Sequence, residues 1–482
     1  MLYSFSFNGI KKSYVISGRG KRRSAFAPVK RNLLIVPGVP GAYLESTDTE
    51  VRIIQQPITI NAKDRLDERK LEEDLAAWLV TDQPAELIFD DEPDRVYYAV
   101  VDGSLDIEDI VNFGQGTITF VCPNPYKHTK EFTAQFKNDF LTIRNHGTAK
   151  AKPVFEMEVL QPTTYCMIEN QDKEYMMIGQ PYDVTKEQPY IREELFFDKR
   201  GNTLTEWSAG TTVDGGIVAG SFYVDGNAFR AKTYGANTAA WHGPSISMSL
   251  DELLTDFRVQ TYFTVKSKTD KSFGRAELYL LNAGGQKIGK LAMKNIGTHG
   301  NSNVGEVILR DETTGNQHVM IQTPGIRERL WNNFYGILRL EREKGVYKAY
   351  IAMLDTKTGQ YHTAWHAEFK DDGKVYDDQL AAVQLHLGAY AGLQWIEDIA
   401  IHRVTVYKIN RPVSYEVPYI AQPGDTIVFD MVNEDLLING ESRVDLKDFG
   451  GEYFSLKSNL NDFRISPTGN FKTKVRYRER YK

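Results

Sequence analysis

The sequence predicts a mainly β fold interrupted by one helix. Three observations carry that reading: apolar and polar residues alternate in short runs, Gly, Pro, Asn and Asp punctuate the runs, and only one stretch shows helical spacing. At about 150 residues per domain, 482 residues imply about three domains. Hydrophobic residues make up 41% and charged residues 25%, a balance that suits folded protein and leaves no composition signal for disorder or collagen. A net charge of -6 gives no overall attraction to phosphate backbones and argues against a wholesale nucleic-acid binder. Cys122 and Cys166 allow at most one bridge, so the expectation is two free thiols rather than a disulfide framework. No signal peptide and no apolar run of about 18 residues is visible, so no membrane partner is expected.

The elements follow in order. Tyr3, Phe5 and Phe7 alternate with Leu2, Ser4 and Ser6, and Asn8-Gly9 suits the positive φ angles of a two-residue turn, so a β-hairpin is expected at the start. Eight basic residues, Lys11, Lys12, Arg19, Lys21, Arg22, Arg23, Lys30 and Arg31, precede the first acid, Glu45. Leu66, Leu71, Leu75, Trp78 and Leu79 recur at helical spacing with acids early in the run, which predicts a helix over 66–80. ELIFDDEPDRVYYAVVDGSLDIEDI and GQGTITFVCPNPY then read as antiparallel strands that close an α+β domain near residue 140. From LTIRNHGTAKAKPVFEMEVL the text is nearly all strand, with Val154, Glu156 and Glu158 alternating against Phe155, Met157 and Val159.

Residues 196–409 hold five of the six tryptophans and seven of the nine histidines, a shift in character that marks a separate module. Within it FRVQTYFTVKS, RAELYLLNAGG, GEVILRDETTG, FYGILRLEREKGVYKAYIAML and IEDIAIHRVTVYKI predict a two-sheet sandwich or jelly roll. The end returns to hairpin-sized runs, PGDTIVFDM, LLINGES with an Asn439-Gly440 turn, and GEYFSLKSN. In the closing FKTKVRYRERYK, Lys472, Lys474, Arg476, Arg478, Arg480 and Lys482 take alternate positions against Phe471, Val475, Tyr477 and Tyr481. That predicts a strand with one aromatic and one basic side.

These pieces, in this order, resemble the distal tail protein of long-tailed, non-contractile (siphovirus-type) bacteriophages. The opening FSFNG, VPGVPGAYLES, the helix ending DLAAWLV, ELIFDDEPDRVYYAVVDG and GQGTITFVCPNPY match the belt-forming α+β amino-terminal domain, assigned to 1–144. RNHGTAKAKPVFEMEV, and much later QPGDTIVFDMVNEDLLINGES and YRERY, are similar to the family's galectin-like carboxy-terminal β-sandwich, here discontinuous over 145–195 and 410–482. The stretch 196–409 departs from shorter members and resembles the carbohydrate-binding, jelly-roll or concanavalin-like β-sandwich insertions of enlarged, so-called evolved, versions. The resemblance implies a structural virion protein at the distal tip of the tail, assembled in the host cytoplasm as a ring that is commonly hexameric. Its implied partners are the tail tube protein and the tail-associated fibre or lysin protein, with DNA only in transit through the lumen and host cell-wall polysaccharide on the insert. No cofactor and no catalytic role are implied. Two other readings of the insert stay open: a polysaccharide-degrading enzyme, and a purely architectural module that contacts neighbouring baseplate subunits.

Sugar rings present apolar C–H faces that stack on Trp and Tyr, while amides and carboxylates take the hydroxyls. The stacking candidates are therefore Trp241, Trp331, Trp365 and Trp395, with His242, Asn332, Asn333 and Tyr335 as polar helpers. Trp241 and Trp331 stand among loop-type residues, whereas Trp365 and Trp395 adjoin strand-like text; core or rim packing is the commoner fate of a tryptophan in such a fold. Lys11, Lys12, Arg19, Lys21, Arg22 and Arg23, with Lys472, Lys474, Arg476, Arg478 and Arg480, read either as a cationic lumen wall or as solvated, acid-pairing surface, the second being commoner. His362 and His366 on strand-like text would lie about 13 Å apart, too far to share a zinc ion, and no metal site is expected. Asp90-Asp91-Glu92 and Asp371-Asp372 read as solvated turns. Sequence signatures of G-x-S-x-G, H-E-x-x-H, P-loop and G-x-G-x-x-G type are absent, and Glu397 and Asp398 point to opposite strand faces, so no catalytic motif is visible.

Overall fold

The structure, a computed structural model, describes residues 4–105, 108–110, 113–236, 240–267, 271–297, 302–413 and 415–482. Leu2 and Tyr3 of the expected opening strand lie outside the described residues. The fold is mainly β, and the chain divides into two compact units. Residues 1–179, 421–437 and 443–482 form the first; residues 180–420 and 438–442 form the second.

The first unit opens with an antiparallel sheet in the order Phe5–Phe7, Ala85–Phe89, Tyr97–Val101, Phe113–Cys122, Arg52–Asn61, Val15–Ser17. Alternation sets its inner face, where Ile54, Ile58 and Ile60 meet Phe5, Phe7, Phe89 and Phe120 in one core. The helix runs Arg65–Leu79 and is capped by the Asp64 carboxylate, which accepts from Asp67 N at 2.8 Å. Trp78 Nε1 donates to Phe7 O at 2.9 Å, and Leu75, Trp78 and Leu79 are buried, so the helix is fastened to the sheet by its second half. Leu66, expected on the same face, is exposed. Asn8 and Gly9 adopt the expected positive φ angles of 50° and 73°. The strand before them nevertheless takes its ladder from Ala85–Phe89 and meets the residues after the turn only at Ile10.

A separate two-stranded hairpin, Val29–Leu34 against Tyr43–Thr49, belongs to the same unit. Its end is apolar and uncovered: Leu33, Leu34, Ile35, Tyr43 and Leu44 are all exposed.

The rest of the first unit is a sandwich. One sheet runs Phe132–Gln135, Phe471–Tyr477, Val154–Val159, Thr426–Asp430, Asp435–Ile438; the other runs Phe140–Asn145, Asn459–Ser466, Tyr165–Asn170, Tyr175–Gly179. Segments from both ends of the inserted stretch are neighbours, for Phe155 lies opposite both Phe429 and Val475. Phe155 also meets Phe463 of the facing sheet, ring centroids 5.3 Å apart, so the two sheets share a core. Cys166 is buried there against Met157, and Cys122 is buried in the amino-terminal core. Burial pushes the Cys122 thiol up to about 12 and raises that of Cys166 as well, which leaves both protonated and inert.

The second unit packs two antiparallel sheets face to face. One runs Ser221–Val224, Phe229–Thr233, Asp398–Ile409, Phe257–Lys266, Asn333–Glu343, Val346–Leu354, Tyr361–Lys370. The other runs Ser208–Ala209, Ser245–Leu254, Leu380–Tyr390, Ser272–Leu281, Lys287–Asn295, Val304–Asp311, Asn316–Thr323. Between them lies one large core that includes Phe257, Phe263, Leu278, Leu291, Leu338, Leu385 and Val404.

Candidate functional site

Alternation splits the central strands of that second sheet between two chemistries. Along Leu380–Tyr390, Val383, Leu385 and Leu387 enter the core while Gln384 and His386 take the opposite face; along Ser272–Leu281, Leu278 and Leu280 enter the core while Arg275, Glu277 and Tyr279 do not. Lys290, Lys294, Glu306 and Arg310 of the next two strands join this outer face. Lys290 Nζ lies 2.5 Å from Glu306 and 2.9 Å from Asp214, Lys294 Nζ lies 2.5 Å from Glu306, and Arg310 donates to Asp214 at 2.7 Å. Tyr279 donates to Glu277 at 2.6 Å. Asp214 comes from a strap of chain laid across this face, held where Thr211 N donates to Gln384 Oε1 at 3.0 Å and Gln384 Nε2 donates to Thr212 O at 2.7 Å. Under it Glu277 is 0% exposed.

The electrostatics follow from that closure. Burial would raise the carboxyls of Glu277 and Glu306, but Arg275, Lys290 and Lys294 outweigh it and hold both below the ordinary carboxylate range. Asp214 is held low in the same way by Arg310 and Lys290. Burial pushes the imidazole of His386 down to about 4, so it is neutral at pH 7. These carboxylates are therefore ionised, salt-bridged and shut away from water. A glycosidase acid needs the opposite, a carboxyl raised enough to hold a proton beside an accessible partner.

Where the strap ends, aromatic rings reach the surface. The strand Trp241–Gly243 sits between Gly216–Val218 and Leu380–Tyr390 and sets Trp241 opposite Tyr390. Their ring centroids are 5.3 Å apart and nearly perpendicular, and the Arg275 guanidinium lies 4.8 Å from the Trp241 ring. Gly388 makes room for that arginine, since a Cβ there would sit 2.8 Å from its Cγ and Nε. Tyr234 covers Gly243, two residues along from Trp241, and its ring packs on Trp395 at 5.8 Å between centroids. Trp395 is 52% exposed, Tyr390 is exposed, and Trp241 and Tyr234 are half-buried. The four rings make an aromatic shelf beside a guanidinium.

Only Trp241 and Trp395 of the predicted stacking residues belong to this shelf. Trp331 must be corrected: it is 0% exposed, edge-on to Phe334 and pressed against Gly305, because the turn before Asn333–Glu343 folds the ring into the core. Asn332 is committed to the fold, its side-chain oxygen accepting from Asn303 N at 2.7 Å. Asn333 is exposed and Tyr335 sits edge-on to His402, both on the other sheet. Trp365 is exposed on Tyr361–Lys370, the edge strand of that other sheet. His242 is buried and turns Nδ1 to Ala240 O at 3.1 Å. None of these six joins Trp241 and Trp395. Among the described residues no group of three His, Cys, Asp or Glu side chains could hold a metal ion.

The basic clusters are mostly paired with acids. Lys11 lies 2.6 Å from Asp90, Lys12 lies 2.7 Å from Asp74, Lys21 lies 2.8 Å from Asp91, and Arg23 reaches both Asp91 and Glu92. Arg19 and Arg22 are exposed. The acid run read as a solvated turn is thus the counter-charge of the basic amino-terminal segment. At the other end, the register sets Glu158 opposite Lys472 and Glu156 opposite Lys474, giving ion pairs of 3.4 and 2.6 Å, while Arg476 lies 2.7 Å from Glu156. Arg478 donates to Tyr98 at 2.7 Å. The basic face of this strand is therefore largely neutralised by the neighbouring strand. Asp371 too is corrected, being buried and accepting from Val375 N and Tyr376 N rather than standing in water.

Two family models match the chain, a phage tail protein RIFT-related domain over residues 10–122 and the carboxy-terminal domain of a siphovirus-type tail component over residues 397–481. Both ends of the chain thus match phage tail protein domains. No curated protein matches it. Among solved structures the chain is similar to the Dit protein of phage SPP1, described as a hub of the adsorption apparatus in phages that infect Gram-positive bacteria, at 18% identity over 38% of this chain and 76% of that one, TM-score 0.34. It is also similar to the CBM2 module of the evolved Dit of Lactobacillus casei BL23 phage J-1, at 14% identity over 46% of this chain and 98% of that one, TM-score 0.38. A third similar structure is LamA of Z. galactanivorans with laminaritriose and laminaritetraose, at 14% identity over 44% of this chain and 98% of that one, TM-score 0.30.

The shelf residues that the sequence did not reveal are Tyr234, Arg275 and Tyr390. The one local signal was the alternation in LHLGAY, which sets Tyr390 on the same strand face as His386. Its pairing with Trp241 is long-range and leaves no local mark.

Proposed function

We propose that this tail component assembles, in the host cytoplasm, into a hexameric ring at the distal end of the tail. The ring joins the tail tube protein to the fibre or lysin protein and passes DNA in transit, and the insert holds host cell-wall polysaccharide on the shelf of Tyr234, Trp241, Tyr390 and Trp395. Three functional parts are proposed: a ring domain over 1–144, a galectin-like sandwich over 145–195 with 410–482, and a saccharide-binding insert over 196–409. The observation that carries the saccharide reading is the shelf itself, with the exposed Trp395 indole and Tyr390 ring at the surface beside the half-buried Trp241 and Tyr234, the buried Arg275 guanidinium backing the Trp241 ring. The ion-paired, occluded carboxylates beneath it favour binding over hydrolysis. The exposed apolar hairpin supports the ring reading, since contiguous uncovered apolar side chains of this kind mark association surfaces.

The test uses the full chain and whole host-type cells, with and without their wall polysaccharide. Trp241→Ala combined with Trp395→Ala is expected to lower binding at least about fivefold, since each lost stacking contact is worth roughly 0.5–1.5 kcal/mol. Wild-type binding that persists on stripped cells, or is unchanged in the double variant, would overturn the shelf assignment.

A further inference from the structure

The first unit carries a concavity that neither the ring nor the saccharide reading uses. It has a volume of about 420 Å³, and Lys150, Lys457, Arg480 and Lys482 converge on it together with Tyr126 and Ser455. No Asp or Glu side chain lines it. Three segments are zipped together to make it. Ala149 N donates to Arg480 O at 3.0 Å, Ala151 and Leu456 exchange backbone hydrogen bonds of 3.0 and 2.7 Å, and Lys482 N donates to Thr148 Oγ1 at 2.9 Å. Gly147 permits this approach, because a Cβ there would sit 2.5 Å from Arg480 O. Arg480 and Lys482 are thus held in place by main-chain bonds that do not involve their side chains, while Lys457 Nζ also pairs with Asp172 at 2.9 Å.

Arg480 stands apart from the rest of its alternating series. Lys472, Lys474 and Arg476 each meet a glutamate, and Arg478 meets a tyrosine hydroxyl with Glu86 at 3.9 Å. Among the described contacts Arg480 has no carboxylate partner. Burial draws its guanidinium below the ordinary value, and Tyr126 is the group that opposes this. Burial together with Arg480 and Arg478 also pushes the neighbouring His128 imidazole down to about 4. A partly desolvated cation without a counter-ion is unfavourable, and an anion entering from solvent removes the penalty. A planar guanidinium with ammonium groups and hydroxyls around it matches the oxygens of a phosphate, and the volume exceeds what one bare phosphate fills.

We propose that this concavity is an oxyanion site that takes a phosphate ester, with the Arg480 fork on the phosphate oxygens and Lys150, Lys457 and Lys482 around them. Calorimetric titration of the full chain at low salt with inorganic phosphate and with glycerol 3-phosphate tests it. Arg480→Gln keeps the backbone bond to Ala149 and is expected to weaken both ligands at least about tenfold, whereas Arg476→Gln, whose charge is already paired with Glu156, leaves them within about twofold. Tighter binding of glycerol 3-phosphate assigns the remaining volume to the ester group; equal binding restricts recognition to the phosphate. No binding of either ligand at millimolar concentration, or equal losses in the two variants, would overturn the proposal, the second by reducing it to diffuse surface charge.

Discussion

Trp331 and Trp395 carry the same ring into opposite surroundings, and their energetics should differ accordingly. Trp331 is fully enclosed by Phe334, Gly305 and the sheet core, so Trp331→Ala is expected to destabilise the protein by about 3–5 kcal/mol in urea unfolding. Trp395→Ala removes an exposed ring and should stay within about 1 kcal/mol of wild type while affecting wall binding. His386 sets a pH dependence. Its folded value of about 4 lies below the ordinary 6.5, so between those limits the unfolded chain binds the additional proton. Stability should therefore fall as pH drops from 6.5 to about 4, by roughly 3 kcal/mol for this one group, and His386→Gln should flatten that part of the profile. The depressed carboxyls of Glu277 and Glu306 act in the same direction at still lower pH. Residue types were legible in the sequence, but their partners were not. The Lys11–Asp90 and Lys474–Glu156 pairs join residues far apart in the chain, so a basic run and an acid run each read as a surface by itself.

At the scale of elements, periodicity was the informative signal. The helix at Arg65–Leu79 and the strands at Phe257–Lys266 and Asp398–Ile409 follow from spacing that a single segment displays. Strand neighbours do not, and the opening strand Phe5–Phe7 pairs with Ala85–Phe89 because a ladder is chosen by burial across the whole sheet. Trp241 was legible as a candidate, while the shelf around it depends on strands that meet only after folding. The hairpin Val29–Leu34 with Tyr43–Thr49 gives an element-level prediction. Leu33 lies opposite Leu44 and both are exposed, so replacing both by Asp should abolish self-assembly in sedimentation velocity while leaving the circular dichroism unchanged. Assembly that survives the double change would remove the hairpin from the ring contact.

For the whole molecule, the account rests on separability. The inserted stretch leaves and returns at adjoining points, since Asn410 N donates to Arg192 O at 2.8 Å and the strand Gln188–Tyr190 pairs in parallel with Glu416–Pro418. The chain can therefore be rejoined there by a short linker, with the sandwich strands on either side still able to pair as Phe155 does with Phe429. Self-association should then remain with the first unit and wall binding should leave with the second. The most direct measurement is mass photometry of the intact protein beside a version with residues 193–409 replaced by a short Gly-Ser linker. The account predicts six-copy particles from both, the shortened ones lighter by six inserts. A shortened chain that keeps its β-type circular dichroism but stays monomeric while the intact chain forms rings would contradict it.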